Sequence, residues 1–302
     1  MSEDKRRSGW FWFLVGGGLF VAFIIVVGLL GYAAVKAVGG DTSFSDNSIG
    51  VIDINGVIVS ADKTVDQLRK FDQDDSIKAI ILHINSPGGG AAASQEIYNE
   101  VLHIRNEKKK PVVASIESMG ASGAYYIASG ANKIYANDAS IVGSIGVIME
   151  WTNYGDLLKW AKMRPVIMKA GSLKDAGSPV REMTPEERAY FQGLLDNMHA
   201  QFIHDVSQGR GIPEATLTPL ATGQVWTGQQ ALPLHLIDKQ GGFRDALLDT
   251  ARQVGISGEP NVVKPPKRGP SLLDLITTDA SDLWPNPEKL LEKNAGFYFL
   301  WK

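Results

Sequence analysis

Two apolar runs in this chain each end in a tight turn of small residues, and each turn opens a helix-like segment. The first run, Ala79 to Ile84, leads into Asn85-Ser86-Pro87-Gly88-Gly89-Gly90. The second, Val112 to Ile116, leads into Ser118-Met-Gly-Ala-Ser122-Gly-Ala-Tyr-Tyr-Ile-Ala-Ser-Gly130. Strand, glycine turn and helix in that order form the building unit of an α/β layer. The second turn also suits nucleophilic chemistry. A reactive serine needs a sharp, uncrowded strand-to-helix turn, so that its oxygen projects and backbone N–H groups face the developing oxyanion. Small neighbours give Ser122 that room. They equally suit a close helix-packing corner, so the turn alone leaves both readings open.

The rest of the chain repeats the alternation. Strands are expected at Ile49–Val57, Ile77–Ile84, Val112–Ile116, Lys133–Ala136, Ile145–Met149 and Val166–Met168. Helices are expected at Lys63–Phe71, Ala91–Arg105 and Ala121–Ala128. The order predicts an α/β domain of repeated ββα or βα units. Thr184-Pro-Glu-Glu187 reads as a capping box with proline at the first helical position. It starts a long helix in which Phe191, Leu194, Leu195, Met198 and Phe202 recur at helical spacing and are expected in the core. With no internal repeat, one catalytic domain is expected over residues 49–257, behind a linker over 36–48. Residues 258–270 read as a proline-rich linker. The tail to residue 302 carries two apolar islands, Leu272–Ile276 and Phe297–Trp301, which are candidates for docking on this domain or on a neighbouring subunit.

With 302 residues, 44% of them hydrophobic and 21% charged, the chain has ample apolar material for a core. A net charge of −3 gives no nucleic-acid footprint, and the absence of cysteine excludes thiol catalysis, thiolate metal sites and disulfides. Residues 10–35 carry no charge. As a helix they would span about 39 Å, enough to cross a hydrocarbon core of about 30 Å. That is longer than the apolar region of a cleavable signal peptide, about 7–15 residues. A membrane anchor is therefore expected at 10–35, in contact with lipid. Lys5, Arg6 and Arg7 precede it and only Lys36 lies close behind, so residues 1–9 form a cytoplasmic arm and the catalytic domain lies outside the cytoplasm.

Hydrolysis by serine requires a base, and histidine is the usual one. None of His83, His103, His199, His204 and His235 lies in a motif of catalytic form. His199 and His204 are five apart and do not share a helix face as a metal pair would. No metal and no cofactor is expected. A lysine base must be desolvated, because a free amine with pKa near 10.4 is neutral in only about 0.04% of molecules at pH 7. Lys169 and Lys174, in Lys169-Ala-Gly-Ser-Leu-Lys174-Asp175, both follow the apolar run at 166–168, and sequence physics does not separate them.

The two glycine turns, spaced about thirty residues apart, resemble those of the ClpP/crotonase fold. More closely, Ser118 to Ala128 resembles the signal peptide peptidase A (SppA) family of membrane serine proteases. Ser140-Ile-Val-Gly-Ser144-Ile-Gly-Val-Ile148, Lys169 to Asp175, Gly223-Gln-Val-Trp-Thr-Gly-Gln-Gln-Ala231 and Leu236-Ile-Asp238 continue the likeness, in order, from about Ile49 to Ala251. The resemblance implies a Ser122–Lys174 dyad, with Ser144 orienting the lysine amine and the Gly89 and Gly123 amides forming the oxyanion hole. Gly88 is the near miss for Gly89. It also implies peptide substrates such as cleaved signal peptides. Longer members fuse two such domains; this chain has one serine motif and one lysine motif, so a homo-oligomer is expected. Whether the dyad forms within one subunit or between two stays open. Ala124 and His235 depart from the family pattern and bear on substrate preference. Two rivals remain: a crotonase-type acyl-CoA enzyme, which lacks its carboxylate pair here, and an inactive membrane scaffold of the same fold.

Overall fold

The computed structural model describes residues 15–29, 47–265 and 297–300. Its two compact units are Met1–Phe44 and Ser45–Lys302. In the first, residues 15–29 form helix α1, with Leu19, Phe20, Phe23 and Ile24 exposed. At 1.5 Å per residue α1 measures about 22 Å. Among the described residues no helix is long and apolar enough to cross a membrane. The remainder of the expected anchor, 10–14 and 30–35, lies outside the described residues.

The second unit runs β1 (Ser48–Asn55), α2 (Asp62–Gln73), β2 (Ile77–Ser86), β3 (Gly88–Gly90), α3 (Ala91–His103), β4 (Val112–Ala121), α4 (Gly123–Ser129), β5 (Lys133–Ala136), β6 (Ile141–Gly143) and β7 (Ile148–Met149). It continues through α5 (Gly155–Trp160), α6 (Pro185–Arg210), α7 (Glu214–Leu217), β8 (Val225–Thr227), α8 (Gly228–Ala231), β9 (Lys239–Gln240), α9 (Phe243–Gln253), β10 (Asn261–Val263) and β11 (Phe297–Leu300). The main sheet is mixed. Its parallel path is β10-β1-β2-β4-β5-β9, and β6 pairs with both β4 and β8, antiparallel to the latter.

Burial explains the order. Ile80, Ile81 and Leu82 on β2 are all fully buried, as a parallel strand covered on both faces requires. One face packs on α2, α3 and α4 through Val65, Leu68, Phe71, Ile97, Tyr98 and Tyr126; the other packs on α9 through Ala246, Leu247 and Ala251. Gly50 is where α2 closes on the sheet, since a Cβ there would stand 2.5 Å from the Phe71 ring.

β4 does more than the sequence pattern predicts. Its first half pairs with β5 and its second half, Met119 to Ala121, pairs with β6. The strand thus runs five residues past Ile116, up to the turn that carries Ser122. Glu117 and Ser118 are exposed, so the apolar pattern stops there while the ladder does not. Two expectations are corrected. Val166–Met168 is not a strand: it is exposed, with Val166 at 88% and Met168 at 95%, and pairs with no sheet edge. The expected Ile145–Met149 strand shrinks to Ile148–Met149. α6 has the expected capping box, Thr184 Oγ1 accepting from the Glu187 N–H and Glu187 accepting from that of Thr184. Of its apolar stripe only Phe202 is fully buried; Phe191, Leu194, Leu195 and Met198 are partly buried.

Candidate active site

Ser122 sits between the end of β4 and the start of α4 with φ 53° and ψ −120°, a left-handed backbone that non-glycine residues seldom adopt. Two bonds hold it there: its N–H donates to the Gly143 carbonyl at 2.7 Å, and its carbonyl accepts from the Tyr126 N–H at 2.9 Å. Strain of this kind costs about 1–3 kcal/mol and persists only where the surroundings over-determine it. The side chain is 1% exposed. Gly123 begins α4, so its N–H has no partner within the helix.

The upstream turn discriminates between its glycines. Gly88, at φ 98°, donates its N–H to Ser86 Oγ at 3.1 Å, and Ser86 in turn donates to the Gly56 carbonyl at 2.6 Å. The Gly88 carbonyl accepts from Ile58 N–H at 2.9 Å, and the Gly90 N–H donates to the Ile58 carbonyl at 2.7 Å. Successive residues of an extended strand turn their polar groups to alternate edges, so the Gly89 N–H faces away from Ile58. A Cβ on Gly89 would stand 2.1 Å from the Ile58 oxygen; no side chain fits there.

Ser144 also has a left-handed backbone, φ 52°, and its N–H donates to the Gln224 carbonyl at 2.8 Å. It lines a cavity of about 500 Å³ with Ile148, Gln192, Asp196, His199 and Thr222. His199, which the sequence reading considered as a base and as half of a metal pair and set aside, lines the same cavity. Its Nε2 is buried there without a hydrogen-bond partner among the described residues. A lone histidine on a half-exposed helix carries no signal in sequence; only the fold places it on the cavity that Ser144 also lines.

The loop after α5 holds both lysines and separates them. Lys169 Nζ donates to the Ser172 carbonyl at 2.8 Å and to the Asp175 carboxylate. Arg181 ties the same loop to α6, binding Asp175 Oδ2 at 3.2 Å and Glu187 through two bonds, one of 2.9 Å. The Arg181 guanidinium and the Thr184 N–H hold the Glu187 carboxyl down to about 2. Lys169 first, and then Arg181, lower Asp175 against the opposing effect of its burial. Lys174 is exposed, and its ammonium pairs with none of the described groups. The structure brings together Ser122, Gly123 and β3 around the end of β4, but no hydrogen bond joins Lys174 to Ser122.

His83 stands elsewhere. Its Nδ1 is 3.2 Å from Asp53 Oδ1 and its ring tilts against Phe243 at 4.8 Å, on the sheet face that α9 covers. α4, which Ser122 opens, packs on the other face. His204 pairs with Glu214 at 2.7 Å and His103 with Glu107 at 3.1 Å.

The family model of peptidase family S49 matches residues 104–257, just over half of the chain, and that of Clp protease matches residues 51–141. A putative protease of Synechocystis sp. is 38% identical over 209 residues, 69% of this chain and 75% of the relative. A putative protease of Methanocaldococcus jannaschii is 36% identical over 200 residues, 66% of this chain and 63% of the relative. A putative signal peptide peptidase SppA of Enterococcus faecium is 32% identical over 216 residues, 67% of this chain and 62% of the relative. The aligned region thus spans less than two thirds of two of these relatives. The chain belongs to peptidase family S49, a family of serine peptidases.

Proposed function

We propose that the chain is a membrane-anchored serine endopeptidase with a Ser122–Lys174 dyad, acting on signal peptides or other membrane-associated peptides. The observation that carries this reading is the strained Ser122 turn beside β3, whose Gly89 amide faces away from Ile58. In this mechanism Ser122 Oγ attacks the peptide carbonyl and Lys174 takes its proton. The Gly89 and Gly123 amides bind the oxyanion. The leaving amine departs protonated, and water, activated by the same lysine, hydrolyses the acyl-enzyme.

Lys174 is favoured over Lys169 because Lys169 is already engaged by Asp175 and the Ser172 carbonyl. An exposed amine lacks the desolvation that a lysine base needs. A second copy of the chain supplies a means to cover it, for the loop region exposes Leu157, Trp160, Met163, Val166 and Met168, an apolar surface that a monomer leaves wet. That supports a homo-oligomer in which Ser144 orients the incoming amine. Uncharged residues 10–35 support the anchor, and the E. faecium relative's name supports the substrate class.

The test is a fluorophosphonate probe combined with Ser122→Ala. The parent is labelled at Ser122 and hydrolyses a quenched apolar peptide; Ser122→Ala loses labelling and hydrolysis by several orders of magnitude with its melting curve intact. Activity retained in Ser122→Ala but lost in Ser86→Ala or Ser118→Ala refutes the assignment. An unlabelled, inactive parent favours the scaffold reading.

A further inference from the structure

Helix α4, which Ser122 opens, is clamped from outside by α6. Tyr126 on α4 stacks its ring on Phe202 of α6, with centroids 4.5 Å apart at 18°, and its hydroxyl donates to the Asp205 carboxylate. Phe202 and Asp205 are three apart and therefore share one face of α6. α3 closes the same cluster: the Tyr98 hydroxyl donates to the Asp205 carbonyl at 2.6 Å, and Gln95 Nε2 to its carboxylate at 3.4 Å. Further along, the α6 backbone itself meets α4, since a Cβ on Gly209 would stand 2.3 Å from the Ser129 carbonyl oxygen.

Tyr126 bears directly on Ser122. Its N–H is the one that holds the Ser122 carbonyl and closes the first turn of α4, so whatever fixes Tyr126 fixes part of the strained turn. The chemistry of the clamp exceeds what stability alone asks for. Asp205 is half-buried, and among the described residues no lysine, arginine or histidine forms an ion pair with it. Arg105 spends its Nη1 on the carbonyls of Gly130, Ala131 and Gly209, at 3.1 Å each. A carboxylate withdrawn from water without a counter-ion is costly, so a neutral amide would serve stability better. What the charge adds is strength, a charged acceptor binding roughly twice as tightly as a neutral one. Burial first, and the Asp205 carboxylate after it, push the Tyr126 hydroxyl far above the usual tyrosine range, so it stays a donor.

We infer that Asp205 is a positioning residue for Ser122: through the Tyr126 hydroxyl it fixes the first turn of α4, and thereby the backbone that aims the serine oxygen. The inference rests on the reading of Ser122 as nucleophile and adds to it a residue that touches neither serine nor substrate. It also gives α6 a double role. Near the start of the helix Glu187 holds the lysine loop through Arg181, and Asp205 lies about 27 Å further along at about 1.5 Å per residue. One continuous helix thus carries the anchor of the base and the anchor of the nucleophile, and sets the spacing between the two in each subunit.

The test uses the full chain as parent, Asp205→Ala, Asp205→Asn, Tyr126→Phe and Tyr135→Phe. The last removes a hydroxyl of the same kind, which donates to Asp249 Oδ2 at 3.0 Å on the face that α9 covers, and is the control for lost stability. Thermal melting, the rate of fluorophosphonate labelling, and kcat and KM on a quenched peptide are measured for each. Asp205→Ala and Tyr126→Phe should slow labelling and kcat by about ten- to a hundredfold, with KM within about twofold of the parent. Combining the two should be no slower than either alone, because both remove the same bond. Asp205→Asn keeps the acceptor without its charge. It should lie between the parent and Asp205→Ala in kcat while melting no lower than the parent. Tyr135→Phe should melt lower and keep the parental kcat. A kcat that falls in step with melting temperature across the whole set, or a folded Tyr126→Phe within about twofold of the parent, overturns the inference. Tyr126→Phe retains the ring stack and so carries the comparison if Asp205→Ala does not fold. A parent that the probe does not label refutes the Ser122 reading and with it the role of Asp205, whereas a labelled parent with unaffected variants refutes that role alone.

Discussion

Adding one methyl group at Gly89 should separate catalysis from stability. In Gly89→Ala the new Cβ would lie 2.1 Å from the Ile58 oxygen, 2.6 Å from its nitrogen and 2.7 Å from its carbonyl carbon. A carbon–oxygen contact settles at about 3.3 Å, so about 1.2 Å of displacement is needed between two backbone segments. Neither is the end of a flexible side chain. Overpacking of this kind costs about 1–3 kcal/mol, and in a domain of this size each kcal/mol lowers Tm by about 2–4 °C. The rate effect is larger. A misplacement of about 1 Å costs about a hundredfold, and losing one oxyanion donor costs about a hundred- to a thousandfold in kcat. Gly90→Ala is the control, because its Cβ would meet the Ile58 oxygen at 3.6 Å and Ala93 Cβ at 3.7 Å, ordinary contacts. Steady-state hydrolysis of a quenched peptide and thermal melts are run on both variants. The expected result is a fall of at least about a hundredfold in kcat for Gly89→Ala, with KM little changed, and a Gly90→Ala enzyme within a few-fold of the parent. A folded Gly89→Ala enzyme with kcat within a few-fold would refute the placement of the oxyanion at Gly89.

Lys174→Arg should be inactive, because a guanidinium stays charged, while Lys169→Arg keeps most activity since its role is an ion pair. The pH profile of kcat/KM should go on rising above neutrality; a plateau set by a group near 6.5, together with inactive His199→Ala, would move the base to the histidine that lines the cavity with Ser144. The loop latch should open in acid. The native carboxyl of Glu187 lies near 2, below its unfolded value of about 4.3, so the latch is complete above that value and is lost as pH falls toward 2. Protection from hydrogen exchange over residues 169–184, taken against the intrinsic rate at each pH, should fall across that window, and Arg181→Ala should show low protection already at pH 6; protection unchanged by pH and by Arg181→Ala would refute the latch. Mixing inactive Ser122→Ala with inactive Lys174→Ala subunits should restore part of the activity if the dyad is shared. No recovery in demonstrated mixed oligomers places both residues in one subunit.

The parts of the fold that were legible are those where periodicity and burial coincide. β1, β2, β5, α2 and α3 fall within a few residues of their expected bounds because each buries a continuous apolar face. Val166–Met168 misled for the complementary reason: three apolar residues in a row look like a buried strand, yet here they are exposed. The extension of β4 past Ile116 was hidden by exposed Glu117 and Ser118, since the ladder to β6 depends on backbone, which carries no side-chain signature. The same holds for β3. Three glycines have no hydrophobic pattern, so their strand character, and the pairing with Phe297–Leu300 far along the chain, emerges only from register. The island at 297–301 stood out as apolar, but what it docks on was not readable.

That contrast bears on how the site is assembled. The serine side of the candidate site is built into the densest part of the molecule, with Ser122, Gly123 and every residue of α4 buried. A serine held in a strained backbone needs that density, because the strain is maintained by the Gly143 and Tyr126 bonds and by the packing beneath them. The lysine side is the opposite: an exposed loop, latched at its base by Arg181 to Asp175 and Glu187, with Lys174 at large and Met168 and Val166 in water. In the proposed mechanism, a base that must shed its hydration and a surface that must shed its exposure would be satisfied by one event, the docking of a second copy over the loop. The latch would then fix where Lys174 is offered, the docking would make it basic, and Ser122 would wait preformed. Catalysis would then track assembly, and dilution below the dissociation constant of the assembly should reduce specific activity without altering the melting of the Ser122 core. Specific activity independent of concentration down to the fully monomeric range would refute this coupling.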